Sequence, residues 1–95
     1  MPLFVLSCID RPGGLDRRLA AREAHLAYLA GHGDRVRLAG PFLGADGQPV
    51  GSMLVIDAAD LAAARAFADA DPYRLADLFQ SVDIRAWRIT IGEIA

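Results

Sequence analysis

The spacing of apolar residues switches repeatedly between the two-residue period of strands and the 3.6-residue period of helices, and the order of those switches leaves few folds open. Leu3 to Ile9 is apolar and β-rich, and it ends in the breaker cluster Asp10-Arg11-Pro12-Gly13-Gly14. From Leu15 to Ala30 the period becomes helical. Leu15, Leu19, Leu26 and Leu29 fall within about 80° of one another at 100° per residue, Asp16 suits the first turn, and Gly31 and Gly33 supply the stop. Arg35 to Phe42 alternates, with Val36, Leu38, Gly40 and Phe42 on one side. A turn over Gly44-Ala45-Asp46-Gly47-Gln48-Pro49 leads into Ser52–Ile56, close enough for an antiparallel hairpin. Asp60 caps a second helix with Leu61, Ala64, Phe67 and Ala68 as its apolar face. Pro72 suits the first position of a short third helix, Pro72 to Phe79, and Ile84 to Ile91 alternates as the last strand.

The order β-α-β-β-α-β is that of the ferredoxin-like split βαβ arrangement, an α+β fold with a four-stranded antiparallel sheet and the helices on one face. Ninety-five residues make a single domain, 1–95, with a modest core. The other sheet face has no cover within the chain and still carries apolar residues. With 54% apolar residues and a mean hydropathy of +0.26, the expectation is a homodimer that stacks two sheets face to face.

Charge argues against nucleic acid as a partner. The net charge is −2, and the ten basic residues, all arginine, are spread from Arg11 to Arg88 without a basic stripe. No stretch approaches 18 uninterrupted apolar residues, and the apolar start lacks a basic leader, so the reading is a cytoplasmic protein with no membrane partner. Cys8 is the one cysteine. With two widely separated histidines it gives no zinc spacing, and no metal site is expected.

The candidate chemistry centres on His25 and Asp71. His25 lies at the edge of the leucine stripe of the first helix, Arg22 lies inside that stripe, and Arg18 falls between them. An arginine on a leucine-lined surface is costly unless it meets an anion, so the flank reads as the wall of a cavity. The plain structural alternative is a solvent-facing His25 nitrogen and an Arg22 side chain that reaches out to water. Asp71, directly before Pro72, is placed to cap the next helix, and one of its oxygens could do so while the other orients an imidazole. Tyr73 could lend its hydroxyl to the same pocket, although a packed ring is the simpler reading. Ser7, Ser52 and Thr90 could present hydroxyls, but no nucleophile elbow accompanies them. Cys8 reads as a small buried hydrophobe and His32 as a helix C-terminal residue.

Arg22-x-x-His25-x-x-Tyr28-Leu29, Gly40-Pro41, Gly51, Asp71-Pro72-Tyr73 and Trp87 together resemble the YciI-like (YCII-related) family over almost the whole chain, in order and in spacing. The resemblance implies a ferredoxin-like fold that dimerises as an α+β barrel, and a small enzyme with a His–Asp pair in a pocket. By resemblance the pair maps onto His25 and Asp71, with Arg22, Gly40, Pro41 and Ser52 as supporting or pocket positions. Tyr73 stands where phenylalanine is common. The chemistry implied is proton-transfer-driven elimination on small oxygenated rings without metal or organic cofactor. The expectation is therefore a cofactor-independent lyase or isomerase. Its rivals are a non-catalytic small-ligand-binding module and an accessory domain whose sheet only mediates dimerisation.

Overall fold

The computed structural model describes residues 2–94. Four strands, β1 (Leu3–Asp10), β2 (Val36–Leu43), β3 (Pro49–Asp57) and β4 (Phe79–Trp87), form one antiparallel sheet in the order β2-β3-β1-β4. Helices α1 (Leu15–Gly31), α2 (Leu61–Asp69) and the single turn α3 (Pro72–Leu75) complete the ferredoxin-like arrangement. Among the described residues no helix is long and apolar enough to cross a membrane.

Strand alternation sends Phe4, Leu6 and Cys8 of β1 to the helix side, where their cross-strand partners on β3 are Ile56, Leu54 and Ser52. The apolar members of these pairs are at most 4% exposed and form the centre of the core. Burial of each such side chain contributes roughly 1.5–3 kcal/mol. α2 closes over them through Ala64 and Ala68, whose small side chains let the helix approach the sheet. Its start is set by Asp60, whose Oδ1 accepts from the Ala63 amide at 2.8 Å.

Three expectations change. A register shift between Val36 and Leu38 inserts Arg37 as an extra residue, so Val36 turns to the core and no longer shares a side with Leu38. The third helix stops at Leu75 instead of Phe79. Its end is a Schellman motif: the Leu78 amide donates to the Tyr73 carbonyl (3.1 Å) and the Asp77 amide to that of Arg74 (3.0 Å), with Asp77 at φ 58°. The Arg11 and Arg17 side chains both donate to the Asp77 carbonyl, so two ion-pairing arginines hold the left-handed position that a glycine would ordinarily mark. The last strand accordingly starts at Phe79, opposite Asp10, and ends at Trp87, opposite Leu3, where its partner strand begins; Arg88 to Ile91 has no strand to pair with.

The face away from the helices carries Ile9, Leu38, Met53 and Trp87, each 38–52% exposed. On that face, near one end of β3, Gly51 is buried where β1 and β2 crowd it, and a Cβ there would collide with the Cys8 carbonyl oxygen. Gly40, on β2, has open space around its would-be Cβ. Gly51→Ala is expected to cost about 2 kcal/mol or more in denaturant unfolding, with Gly40→Ala near neutral. Equal stability of the two variants would contradict this packing.

Candidate active site

A cavity of about 310 Å³ opens between α1 and the β2–β3 side of the sheet. α1 packs chiefly on α3 and stands off the sheet, which explains an unexpected rotation of the helix. The residues it buries are Arg18 and His25, seven apart on one face, with Ala21 packed against the core between them. Of the leucine stripe, only Leu29 packs against the core. Leu19 is 58% and Leu26 44% exposed, and both line the cavity together with Leu29 and Arg22. The arginine in the stripe thus faces a cavity, as its cost on a core surface requires.

His25 is 6% exposed, and its Nδ1–H donates to Asp71 Oδ1 at 2.8 Å. A carboxylate only accepts, so this bond places the Nδ1 proton and leaves Nε2 of a neutral ring with its lone pair free. Asp71 is 3% exposed and caps α3, because the same Oδ1 accepts the Tyr73 amide at 2.9 Å. The expected division of labour between two oxygens is corrected here: one oxygen both caps the helix and orients the imidazole. The turn that Pro72 starts brings the Tyr73 ring onto His25, stacked at 3.8 Å between centroids and 11° between planes. Tyr73 is a packed ring, 2% exposed, and it lines the cavity.

Below this stack lies a second buried pair. Asp10 continues the inward register of Phe4, Leu6 and Cys8, and its carboxylate receives Nε (2.8 Å) and Nη2 (3.0 Å) of Arg18. Nη2 also donates to Ser52 Oγ at 2.8 Å, and the Arg18 Cζ lies 4.6 Å from the Tyr73 ring centroid. Burial disfavours the Arg18 charge, but the hydrogen bonds and charge of Asp10 outweigh it and raise the pKa above the usual guanidinium value. Burial also raises the Tyr73 phenol, against a lowering pull from Arg18, so it stays protonated at neutral pH.

The cavity wall brings together His25, Arg22, Ser52, Gly40, Pro41 and Tyr73, with Asp71 directly behind His25. Arg22 is exposed at the mouth and makes no ion pair among the described residues. Ser52 bonds Arg18 and not His25, so no Ser–His–Asp relay forms. Asp10 and Arg18 were not singled out as site residues from the sequence. The available signals were the inward parity of Asp10 and the seven-residue spacing of Arg18 and His25, both overridden by the louder leucine pattern. His32 caps α1, with Nδ1–H donating to the Tyr28 carbonyl. Among the described residues no group of three or more His, Cys, Asp or Glu is placed to hold a metal ion.

The family model for the YCII-related domain matches residues 2–88. The chain belongs to the YCII-related family. It is 35% identical to Protein YciI of Escherichia coli over 94 residues, covering 90% of this chain and 96% of that protein, and equally to Protein YciI of Shigella flexneri. Among solved structures, this YCII-related chain resembles 5-chloro-2-hydroxyhydroquinone dehydrochlorinase (TftG) of Burkholderia phenoliruptrix, in complex with 2,5-dihydroxybenzoquinone. The TM-score is 0.86 at 34% identity, over 90% of this chain and 93% of that one. A Mycobacterium tuberculosis protein at 18% identity and TM-score 0.51 shares the fold.

Cys8 is 2% exposed on the helix side of β1, and burial first, then the nearby Asp71 and Asp10 carboxylates, push its thiol up to about 12. Only roughly one thiol in ten thousand is ionised at pH 8. Cys8 in the folded protein is expected to resist iodoacetamide at that pH and to react on unfolding. Native alkylation at the rate of a free thiol would contradict this environment.

Proposed function

We propose that this YCII-related protein is a small-molecule enzyme of lyase or isomerase type, in which His25 moves a proton and Asp71 holds the imidazole. The observation that carries the reading is the 2.8 Å Nδ1–Oδ1 bond in a ring that also lines the cavity. No buried side-chain nitrogen or oxygen among the described residues lacks a hydrogen-bond partner, and Nε2 has no protein partner, so Nε2 retains access to the space where a substrate would sit. The similarity to a dehydrochlorinase supports an elimination from a small hydroxylated ring. In that reaction Nε2 accepts a ring hydroxyl proton, the freed electron pair moves through the ring, and the carbon that bears the leaving group takes up a proton. Loss of a second hydroxyl proton then forms a second carbonyl and expels the leaving group with its bonding pair. Asp71 stabilises the imidazolium so formed, and Arg22 at the mouth attracts an anionic substrate.

The shared use of Oδ1 allows a clean dissection. An asparagine at position 71 can keep its amide oxygen where Oδ1 now accepts both N–H groups, so Asp71→Asn removes charge while leaving the cap and the tautomer in place. On a hydroxylated chloro-ring substrate, His25→Ala is expected to lower kcat by roughly 10²-fold or more, with the fold intact but less stable by about 1–3 kcal/mol as Asp71 loses a donor. Asp71→Asn should lower kcat in the same direction at near-normal stability. Full turnover in His25→Ala would exclude the acid–base role, and saturable binding without turnover in the wild type would make the protein a binding module.

The open sheet face fits the same reading. We propose that two copies stack these faces into a barrel, motivated by the exposed Ile9, Leu38, Met53 and Trp87 on one side and helix cover on the other. Sedimentation at micromolar concentration should give twice 10.2 kDa, and Leu38→Asp should release the monomer. A 10.2 kDa species in the wild type excludes the stacked pair.

A further inference from the structure

Arg18 is 5% exposed, yet it forms part of the cavity wall. Nε and Nη2 are committed to Asp10, and Nη2 also to Ser52. Nη1 bonds neither Asp10 nor Ser52, and the Tyr73 hydroxyl is its neighbouring acceptor, close enough for the guanidinium to pull the phenol down through a hydrogen bond. No buried side-chain nitrogen or oxygen there is left without a partner, and the surface that Arg18 contributes is cavity surface. The guanidinium is a rigid planar fork, so a bidentate grip through Nε and Nη2 turns Nη1 away from the carboxylate. A ligand in the cavity therefore meets N–H groups first and Asp10 only behind them. The Asp10 pair keeps the charge in place without blocking the free edge.

The spacing adds a constraint on what can bind. Arg18 and His25 are seven residues apart on α1, and because both side chains lie against Tyr73 the guanidinium and imidazole centres are no more than about 8.4 Å apart. Tyr73 lies against both, 3.8 Å from the imidazole centroid and 4.6 Å from the Arg18 Cζ, and its nearly buried ring fixes the positions of base and cation relative to each other. We propose that Arg18 is an oxyanion-binding residue of this site. Its Nη1 takes an ionised ring oxygen, a phenolate or enolate, at the end of the cavity opposite the proton handled by His25. The substrate class is then a single planar ring with an acidic hydroxyl about a ring's width from the position deprotonated. The His25 end of this description rests on the acid–base reading; the Arg18 end does not.

The test uses 4-nitrophenol, whose colour separates phenol from phenolate, titrated against pH with saturating full-length protein. Bound to the wild type, the probe should ionise at least about one pH unit lower than in water, a tenfold preference for the phenolate. Arg18→Gln should abolish that lowering, and His25→Ala should retain it even where turnover is lost. If Arg18→Gln does not fold, Arg22→Gln gives the answer: it should keep the lowering, and 4-nitroanisole, which cannot ionise, should bind it at least tenfold more weakly than the phenolate. Arg18→Lys, which keeps the charge beside Asp10 but not the fork, should lose most of the shift. Three results would each overturn the assignment. They are an unshifted or raised probe, no saturable binding at millimolar probe, and a lowering that survives Arg18→Gln but disappears in Arg22→Gln. Normal turnover by His25→Ala alongside a shift that depends on Arg18 would remove the acid–base reading and leave the oxyanion site standing.

Discussion

One carboxylate oxygen ties the site to the fold. Asp71 Oδ1 accepts the Tyr73 amide and the His25 imidazole, and thereby joins the start of α3 to the middle of α1. The helix turn it caps places the Tyr73 ring flat on the imidazole, so tautomer and ring orientation come from one short segment. A buried carboxylate is tolerable only with such partners, and removing either donor would leave it short of hydrogen bonds at a cost of about 1–3 kcal/mol. Site geometry and local stability are thus set by the same contacts.

The Asp10–Arg18 pair extends this logic to the other end of the cavity. Each side chain is 6% exposed, and the carboxylate oxygens and the Ser52 hydroxyl together satisfy Nε and Nη2. Such pairs rarely add net stability over an apolar core, since desolvation of two ions offsets their attraction. Here the pair fixes a charged fork at the rim of a small apolar core, where a leucine would have packed without orienting anything. Polar groups on the inner face of α1 are consistent with a helix that serves a cavity more than a core.

Much of this was legible in local residue patterns. The strand and helix order, the Asp60 and Asp71 caps, the uncovered sheet face, and the cavity implied by Arg22 among leucines all follow from periodicity and from the cost of a buried charge. The end of α3 was not, because the left-handed residue is Asp77 and not glycine, held by Arg11 and Arg17 from 60 or more residues away in sequence. The Arg37 bulge was hidden for a similar reason: an extra residue is visible only against the partner strand.

The sequence by itself determined the order of strands and helices, the Asp60 and Asp71 caps that start α2 and α3, and which titratable groups are scarce enough to matter, because these depend on neighbours within a turn or two. Only the tertiary structure decided which face of α1 turns inward, that Asp10 and Arg18 meet, and that a single oxygen of Asp71 serves both helix and histidine. Those outcomes depend on how far α1 stands from the sheet and where α3 wedges beside it. The balance of burial and hydrogen bonding there is struck between residues distant along the chain, and no local pattern encodes it.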